Sequence, residues 1–199
     1  MGRNRTFDTQ EAVRAARSVF WSNGFEGASL PDLEAATGLN RSSLYHAFGS
    51  KRGLFDAAVD SYLDEVIRPR LRILTEAPVP PDAVRTYLTG MKAALLAPAS
   101  PASENGCLMV NTAGSPIAKE EAVRERVAAY RAEIAAAIES GLSHQPGFAP
   151  SRVAPTAMAV TSLVVAAMTL TRIDAAAAAE TIDAALAITD GEVATSDAR

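Results

Sequence analysis

Residues 29–51 read SLPDLEAATGLNRSSLYHAFGSK, which predicts two short helices separated by a glycine turn. Ser29 and Asp32 have the spacing of a capping box, in which each side chain accepts a hydrogen bond from the other residue's backbone N–H. Gly38 follows the first helix, where a left-handed backbone conformation closes a helix. Asn40 is a suitable N-cap for the second helix. The pattern predicts a helix-turn-helix.

The second helix, predicted over 41–48, has one apolar and one polar face. Leu44 and Phe48 share the apolar face at i, i+4 spacing. The polar face carries the hydrogen-bonding side chains Arg41, Ser42, Tyr45 and His46. A helix of about two turns whose N-terminal end is free can enter the major groove of DNA. We therefore predict base contacts from Arg41 and Ser42 at that end.

Phosphate contacts are predicted around the start of the next helix. Gly49 ends the recognition helix and Ser50 caps its successor, so Lys51 lies in a first turn, where a lysine opposes the helix dipole. Backbone N–H groups at a helix start, together with a cation, can hold a phosphate. The predicted phosphate-binding residues are Ser29, Tyr45, His46 and Lys51. Asn40 belongs to the same predicted DNA-binding surface.

A short basic arm, Gly2-Arg3-Asn4-Arg5, precedes the first helix. Arg3 and Arg5 are predicted to contact the minor groove or phosphates. The alternative is a frayed, solvated terminus. Asp8 then has the spacing to cap a helix that Gly24 ends.

Matching positions at fixed spacing run through residues 7–60: Gly24-Phe25, Ser29-Leu30, Asp32-Leu33, Ala36, Gly38-Leu39, Ser43-Leu44-Tyr45, Phe48-Gly49-Ser50-Lys51 and Leu54-Phe55. They resemble the N-terminal domain of the TetR (tetracycline repressor) family of transcriptional regulators. The resemblance implies an all-helical homodimer that binds a palindromic double-stranded DNA operator as a repressor. It also implies release of the operator when a small-molecule effector occupies the C-terminal domain. Residues 104–113 resemble a stretch found in one subset of the family.

The predicted fold class is all-α. A three-helix DNA-binding domain with the helix-turn-helix occupies residues 1–53, and a helical effector-binding and dimerisation domain occupies 54–199, with 191–199 predicted to be disordered. A connector helix joins them, and Pro69 is predicted to kink or end it. Further helices are predicted over 83–97 with Asp82 as cap, 104–113, 117–142, 151–171 and 174–189, with a loop over 98–103.

The formal net charge of −4 divides unevenly along the chain. Residues 1–53 carry seven Lys/Arg against five Asp/Glu, a net charge of +2, whereas residues 54–199 carry twelve against eighteen, a net charge of −6. This division, with a modestly basic N-terminal part and an acidic remainder, predicts DNA binding that depends on the orientation of the protein rather than on its net charge.

The last two helices present broad faces of small residues, including a continuous run over 175–179. We predict that these two helices from each subunit form a four-helix homodimer interface. The alternative is an alanine-rich surface helix. Residues 153–171 are nineteen uncharged residues, long enough for a membrane span, but Pro155, Ser162 and several threonines interrupt them. A buried or interfacial helix is predicted there, and no membrane partner.

An effector pocket is predicted in the C-terminal part, because Met is adaptable and Tyr offers a polar group beside an apolar ring. The candidate residues are Tyr87, Met91, Cys107, Met109, Thr112, Tyr130, Met158 and Thr161. The alternative for each of these residues is that it packs in the core and contacts no effector. The absence of a charged cluster on these helices' apolar faces favours a neutral or apolar effector.

Cys107 supports a second hypothesis, a thiol-based sensor. It lies near the start of a predicted short helix, where Glu104 or Asn105 could act as cap and the helix dipole lowers the pKa of a thiol. A modified sulfur there would move neighbouring helices and release DNA. The alternative is an inert, buried cysteine.

Other classes of function are disfavoured. A single cysteine excludes an internal disulfide framework, and two histidines provide no metal-ligand cluster, so neither a metal nor a cofactor is predicted. A reducing cytoplasm is the expected location. No catalytic pair of nucleophile and base is visible, so no enzymatic activity is predicted. A helical adaptor that binds only protein remains an alternative, although it would not need the polar recognition face.

Overall fold

The structure, a computed structural model, describes residues 8–190 as a set of α-helices, with no strand in that range. The helices are α1 (Thr9–Gly27), α2 (Leu30–Thr37), α3 (Arg41–Phe48), α4 (Lys51–Tyr62), α5 (Arg68–Thr75), α6 (Ala83–Leu96), α7 (Pro101–Asn105), α8 (Leu108–Ala113), α9 (Glu121–Ser143), α10 (Pro150–Leu170) and α11 (Ala175–Asp190). The all-α prediction is confirmed. The predictions for Arg3, Arg5 and the tail 191–199 lie outside the described residues.

Aromatic rings hold the N-terminal helices together. Phe55 of α4 meets Phe20 and Phe25 of α1 edge-to-face, each with ring centroids 5.2 Å apart. Edge-to-face packing places the positive ring edge against the negative face of its neighbour. Leu33 of α2 and Leu44 of α3 are buried in the same core. The core therefore fixes the orientation of α3 relative to α4.

Local signals in the sequence are confirmed at the turn between α2 and α3. The backbone N–H of Asp32 donates to Ser29 Oγ, and the N–H of Ser29 donates to Asp32 Oδ2, both at 3.2 Å. Gly38 has a φ of 67° and closes α2 in the left-handed conformation. Asn40 Oδ1 accepts from the N–H of Ser43 at 2.9 Å and caps α3.

The connector consists of α4, a π-helical turn (Leu63–Ile67) and α5. Pro69 lies in the first turn of α5, directly after the π turn, and has no N–H to donate to the preceding turn. The π turn directly before it changes the helical register, so the predicted interruption at Pro69 is confirmed. The predicted domain boundary at 53/54 falls inside α4, which therefore packs in both parts of the molecule.

The segment from 98 to 113 differs from the prediction. Ser100 and Ser103 form a second capping box, so a helix, α7, starts at Pro101 where a loop was predicted. The single helix predicted over 104–113 is split at Gly106, which has a φ of 65°. A Cβ at Gly106 would also lie 2.5 Å from the Met168 carbonyl oxygen. The split therefore lets α7 and α8 turn closely over the end of α10.

α6, α9, α10 and α11 form the rest of the core. α10 is long and apolar enough to cross a membrane by length and composition alone, and 44% of its most apolar window is buried inside the molecule. Its buried residues belong to the same cluster as those of α9 and α11. Packing against these helices agrees with the predicted buried or interfacial helix. Asp174 caps α11 by accepting from the N–H groups of Ala176 and Ala177, both at 3.0 Å.

Gly141 of α9 provides a test of this packing. A Cβ there would lie 2.7 Å from Val84 Cγ2 and 2.8 Å from Leu74 Cδ2, and both side chains are buried. We expect Gly141→Ala to lower the free energy of unfolding by about 1 to 2 kcal/mol, because overpacking outweighs the better helix propensity of alanine. Urea unfolding at a fixed protein concentration measures the change.

Gly90→Ala is the matched control, because Gly90 is also helical and has no atom within 4 Å of a built Cβ. That substitution should be neutral or stabilising by up to about 1 kcal/mol. Equal stability of the Gly141→Ala and wild-type proteins would show that α9 and α6 are not tightly packed at this point.

Candidate functional site

The polar face of α3 is presented to solvent. Arg41, Ser42 and His46 are exposed and Tyr45 is half-buried. The Arg41 guanidinium lies 5.3 Å from the centroid of the Tyr45 ring, an arrangement that holds the charge along the helix without using its N–H donors. One continuous surface therefore carries the residues predicted to contact bases, Arg41 and Ser42, and two of those predicted to contact phosphates, Tyr45 and His46. Which of them touch DNA stays a prediction.

Lys51 is held beside this surface by an aromatic ring. Its Nζ lies 4.7 Å from the ring centroid of Phe25, in the first turn of α4. Ser50 Oγ accepts from the N–H of Gly53 at 3.0 Å and caps the helix. The cation is thus fixed near a helix N-terminus, where backbone N–H groups favour an anion.

Ser29 is engaged within its own helix cap. Its hydroxyl donates to Asp32 Oδ2 at 2.6 Å. This hydrogen bond, together with the one from the Ser29 backbone N–H, lowers the pKa of Asp32. The Ser29 hydroxyl must break its hydrogen bond to the Asp32 carboxylate before it can donate to a phosphate.

Ion pairs separate the cations of the N-terminal region into two groups. Arg14 and Arg17 bind Glu65 at 2.9 and 2.8 Å. Arg52 binds Asp56 at 3.1 Å and also pairs with Glu120. Within the described part of residues 1–53, Arg41 and Lys51 are the cations without an ion pair. The unpaired charge therefore lies on the side of the molecule that α3 presents.

A cleft of about 220 Å³ opens between α5, α6, α7 and α10. Its lining residues are Arg70, Ile73, Thr86, Tyr87, Gly90, Met91, Ala94, Leu95, Ala102 and Met168. Of the predicted pocket residues, Tyr87 and Met91 line this cleft. Five others are buried elsewhere in the core: Cys107, Met109, Thr112, Tyr130 and Thr161. Met158 is 60% exposed on the outer side of α10.

Sequence reasoning missed Arg70, although a signal was present. Arg68 and Arg72 each have an acidic residue four positions away, whereas Arg70 has Val66 and Leu74 at those positions. In the structure, Arg68 pairs with Asp64 and Glu133, and Arg72 pairs with Glu76. No ion pair or hydrogen bond holds Arg70 within residues 8–190.

Cys107 lies in a buried polar junction between the two parts of the molecule. Its Sγ is 3.1 Å from the hydroxyl oxygen of Tyr130, and it also interacts with the hydroxyl of Tyr62. Burial raises the pKa of both tyrosines, and the neighbouring thiol raises it further. Cys107 is itself the residue at the N-cap position of α8, so the predicted capping by Glu104 or Asn105 is wrong.

Trp21 of α1 also contacts this junction. Its Nε1 donates to the carbonyl of Gly106 at 3.2 Å, and its ring meets the Tyr62 ring edge-to-face at 4.9 Å. α1, the connector, α8 and α9 therefore meet at one point. No group of three or more His, Cys, Asp or Glu side chains that could hold a metal forms within residues 8–190.

Comparison with known proteins places this geometry in a family. Residues 12–58 match the family described as bacterial regulatory proteins, tetR family. The whole structure is similar to a cysteine mutant of the TetR family transcriptional regulator CifR, solved in complex with 26-base-pair double-strand operator DNA. The two are 30% identical with a TM-score of 0.78, and the match covers 93% of this chain and 98% of CifR. The chain belongs to the TetR family of transcriptional regulators. The resemblance read from the sequence is confirmed.

Curated members of the TetR family match over shorter stretches. The HTH-type transcriptional repressor ComR of Escherichia coli is 33% identical over 111 residues, which are 55% of this chain and 51% of ComR. The HTH-type regulator YezE of Bacillus subtilis is 50% identical over 64 residues, which are 32% of this chain and 33% of YezE. The chain thus spans about half or less of the length of these curated relatives.

The thiol-sensor hypothesis has a direct test at Cys107, which is fully buried. A buried thiol in contact with two protonated tyrosines should react slowly with electrophiles, since only the thiolate is a good nucleophile. We expect the folded protein to be alkylated by iodoacetamide at least about 100-fold more slowly than the urea-unfolded protein, because reaction then requires opening of the core.

Cys107→Ser separates thiol chemistry from packing, because serine keeps the size of the side chain but not the reactivity. Rapid alkylation of the folded wild-type protein, with DNA release that Cys107→Ser abolishes, would establish the sensor in place of the inert core residue.

Proposed function

We propose that this protein is a ligand-responsive transcriptional repressor that binds a palindromic operator as a homodimer in the cytoplasm. The observation that carries the proposal is the exposed polar face of α3, with the unpaired cations Arg41 and Lys51 on the same side. The operator complex of CifR and the repressor name of ComR support it.

The recognition step follows from the orientation of α3. Its N-terminal end enters the major groove, where an arginine can donate two hydrogen bonds to guanine O6 and N7. Arg41 and Ser42 are proposed to contact bases there. Lys51 binds a phosphate at the start of α4, since phosphate contacts fix the register of a protein on the duplex. The proposed further phosphate contacts are from Ser29, Tyr45 and His46, with the arm residues Arg3 and Arg5 beside the groove.

The homodimer is proposed to form through α10 and α11. The exposed side of α10 carries Met158, Ser162, Ala166 and Thr169, none of them charged. Ile173, just after this helix, is 80% exposed. A second copy of the chain would cover this surface, and small side chains allow helices from the two subunits to approach closely.

Effector control is proposed to act through the connector. The cleft is lined by α5, which continues α4 through the π turn, and by α7, which leads into the junction beneath Trp21. A ligand that prefers one position of these helices changes the affinity for DNA by the same factor as DNA changes the affinity for the ligand.

Arg41→Ala and Lys51→Ala test the division between base and phosphate contacts. Arg41→Ala should weaken operator binding by about 1 to 3 kcal/mol and relax sequence preference at one position of each half-site. Lys51→Ala should weaken binding to all sequences alike and reduce the slope of log affinity against log salt by about one unit. Fluorescence anisotropy with a selected operator and with random DNA measures both.

Arg131→Ala is the matched control, because Arg131 is exposed on α9, away from α3. It removes the same charge and should leave operator affinity nearly unchanged. Equal losses for Arg41→Ala on operator and random DNA would contradict the assignment of Arg41 to a base. Footprinting should show half-sites about 34 Å apart or a multiple of that distance.

Ala166→Glu tests the dimer. The substitution places a charge on the uncharged face of α10, and burying an unpaired carboxylate at an interface costs several kcal/mol, so dimer affinity should fall at least about 100-fold. Sedimentation equilibrium measures this loss. Ala132→Glu introduces the same change on the exposed side of α9 and should remain dimeric. A stable Ala166→Glu dimer would place the interface elsewhere.

A further inference from the structure

Arg70 differs from the other arginines of α5. Arg68 and Arg72 flank it and are each paired with carboxylates, whereas none of the nine other residues that line the cleft is acidic. An unpaired arginine on an open surface is common. Arg70 is itself exposed, but it also lines a cleft whose other residues are mostly apolar, so an anion bound there would be partly shielded from water and held more strongly.

A second polar group lies in the same cleft without a partner. Tyr87 is 7% exposed, and no group within residues 8–190 hydrogen-bonds its hydroxyl. The described residues contain no buried side-chain oxygen or nitrogen that lacks a hydrogen bond, so this hydroxyl must keep some accessible surface, and the cleft is the space that Tyr87 lines.

The charges around Tyr87 agree with this placement. Burial raises the pKa of the Tyr87 hydroxyl, and the nearby Cys107 adds to the rise, so the hydroxyl stays protonated and can donate. The positive charge of Arg70 acts in the opposite direction on the same pKa, and both residues line the cleft. The guanidinium and the hydroxyl are thus two donors of one cleft, and neither has an acceptor within residues 8–190.

The rest of the cleft limits the size and polarity of an occupant. Ile73, Met91, Leu95 and Met168 form apolar walls. The volume of about 220 Å³ lies below the range of about 300 to 1,000 Å³ that is usual for drug-sized ligands. A molecule with a short apolar body fills this space, and methionines adapt their shape to it.

We propose that the cleft binds a small amphipathic carboxylate, with the anionic head between Arg70 and the Tyr87 hydroxyl and the apolar body against α6 and α10. Arginine and carboxylate match in geometry and form charge-assisted hydrogen bonds. The ligand class differs from the neutral or apolar effector expected from the sequence, because Arg70 was absent from that expectation. The inference rests on the proposed function, in which the same cleft is the effector site.

The bound carboxylate would hold one residue of α5 and one residue of α6 together. Arg70 belongs to α5, the continuation of the connector, whereas Tyr87 belongs to α6. A head group that holds both favours one position of α5 relative to α6, and so one position of α4 and α3. Differential affinity of this kind is what an effector needs in order to shift an equilibrium.

Isothermal titration calorimetry on the full chain tests the ligand class with hexanoate and benzoate as probes, each compared with its neutral amide. The carboxylates should bind at least about tenfold more tightly than the amides. Arg70→Met should weaken carboxylate binding about 10- to 100-fold and Tyr87→Phe several-fold, because each removes hydrogen bonds to the head group. Arg70→Lys should keep part of the affinity, since it retains the charge.

Arg72→Met is the matched control, because Arg72 lies on the same helix outside the cleft, paired with Glu76. It should bind the carboxylates within about twofold of the wild-type protein. The proposal is overturned if neither carboxylate binds, if the amides bind as tightly, or if Arg70→Met binds them unchanged while its circular dichroism shows a folded chain.

The titrations contain no DNA, so they are independent of the proposed repressor function. A wild-type protein that selects no palindrome from a random DNA library would refute that function even where carboxylates bind. A protein that binds its operator but no carboxylate would refute only the ligand class. Operator release by hexanoate that is lost in Arg70→Met supports both together.

Discussion

A buried hydrogen bond between the two parts of the molecule sets the geometry of everything around it. Trp21 of α1 donates to the carbonyl of Gly106, and the Trp21 ring packs on Tyr62 of the connector. A buried carbonyl that lost this donor would remain unpaired, at a cost of about 1 to 3 kcal/mol. The contact is possible because Gly106, without a Cβ, turns tightly against the Met168 carbonyl. The turn at Gly106 therefore contacts both α1, through Trp21, and α10, through the Met168 carbonyl.

An ion pair and a hydrogen bond extend this connection between the parts. Arg126 of α9 binds Asp60 of α4 at 2.5 Å, and the N–H of Ile117 donates to Glu26 of α1 at 2.8 Å. Exposed ion pairs contribute little stability singly, about 0 to 1 kcal/mol. Their greater effect here is on charge distribution, because Arg14, Arg17 and Arg52 of the N-terminal part are also paired, with carboxylates of the connector and of Glu120. Arg41, exposed on α3, forms no ion pair within residues 8–190.

The cleft lies where motion of the connector can be transmitted. α5 and α4 are one helical path interrupted by a π turn, and such turns mark places where a helix can change register. α7, on the other side of the cleft, ends at Gly106 and so connects to the Trp21 corner. A ligand between α5 and α7 would therefore contact the helix that continues α4, which packs on α3, and also the helix that ends at the Trp21 contact with α1. This position is the reason for proposing the cleft as the effector site.

The sequence by itself determined the features that depend on neighbours within about four residues. The capping box at Ser29, the left-handed Gly38, the Asn40 cap and the bounds of α3 were all predicted, because a helix end is decided by local hydrogen bonds and backbone freedom. The family resemblance followed from the same local pattern.

Only the tertiary structure decided which distant residues meet. Gly106 splits the helix predicted over 104–113 because it approaches Met168, and the thiol of Cys107 is buried because Tyr62 and Tyr130 reach it from other helices. The eight candidate pocket residues were chosen by residue type alone, and two of them, Tyr87 and Met91, line the cleft. Periodicity assigns a face to each helix but does not say which faces come together, and that choice depends on packing between residues far apart in the chain.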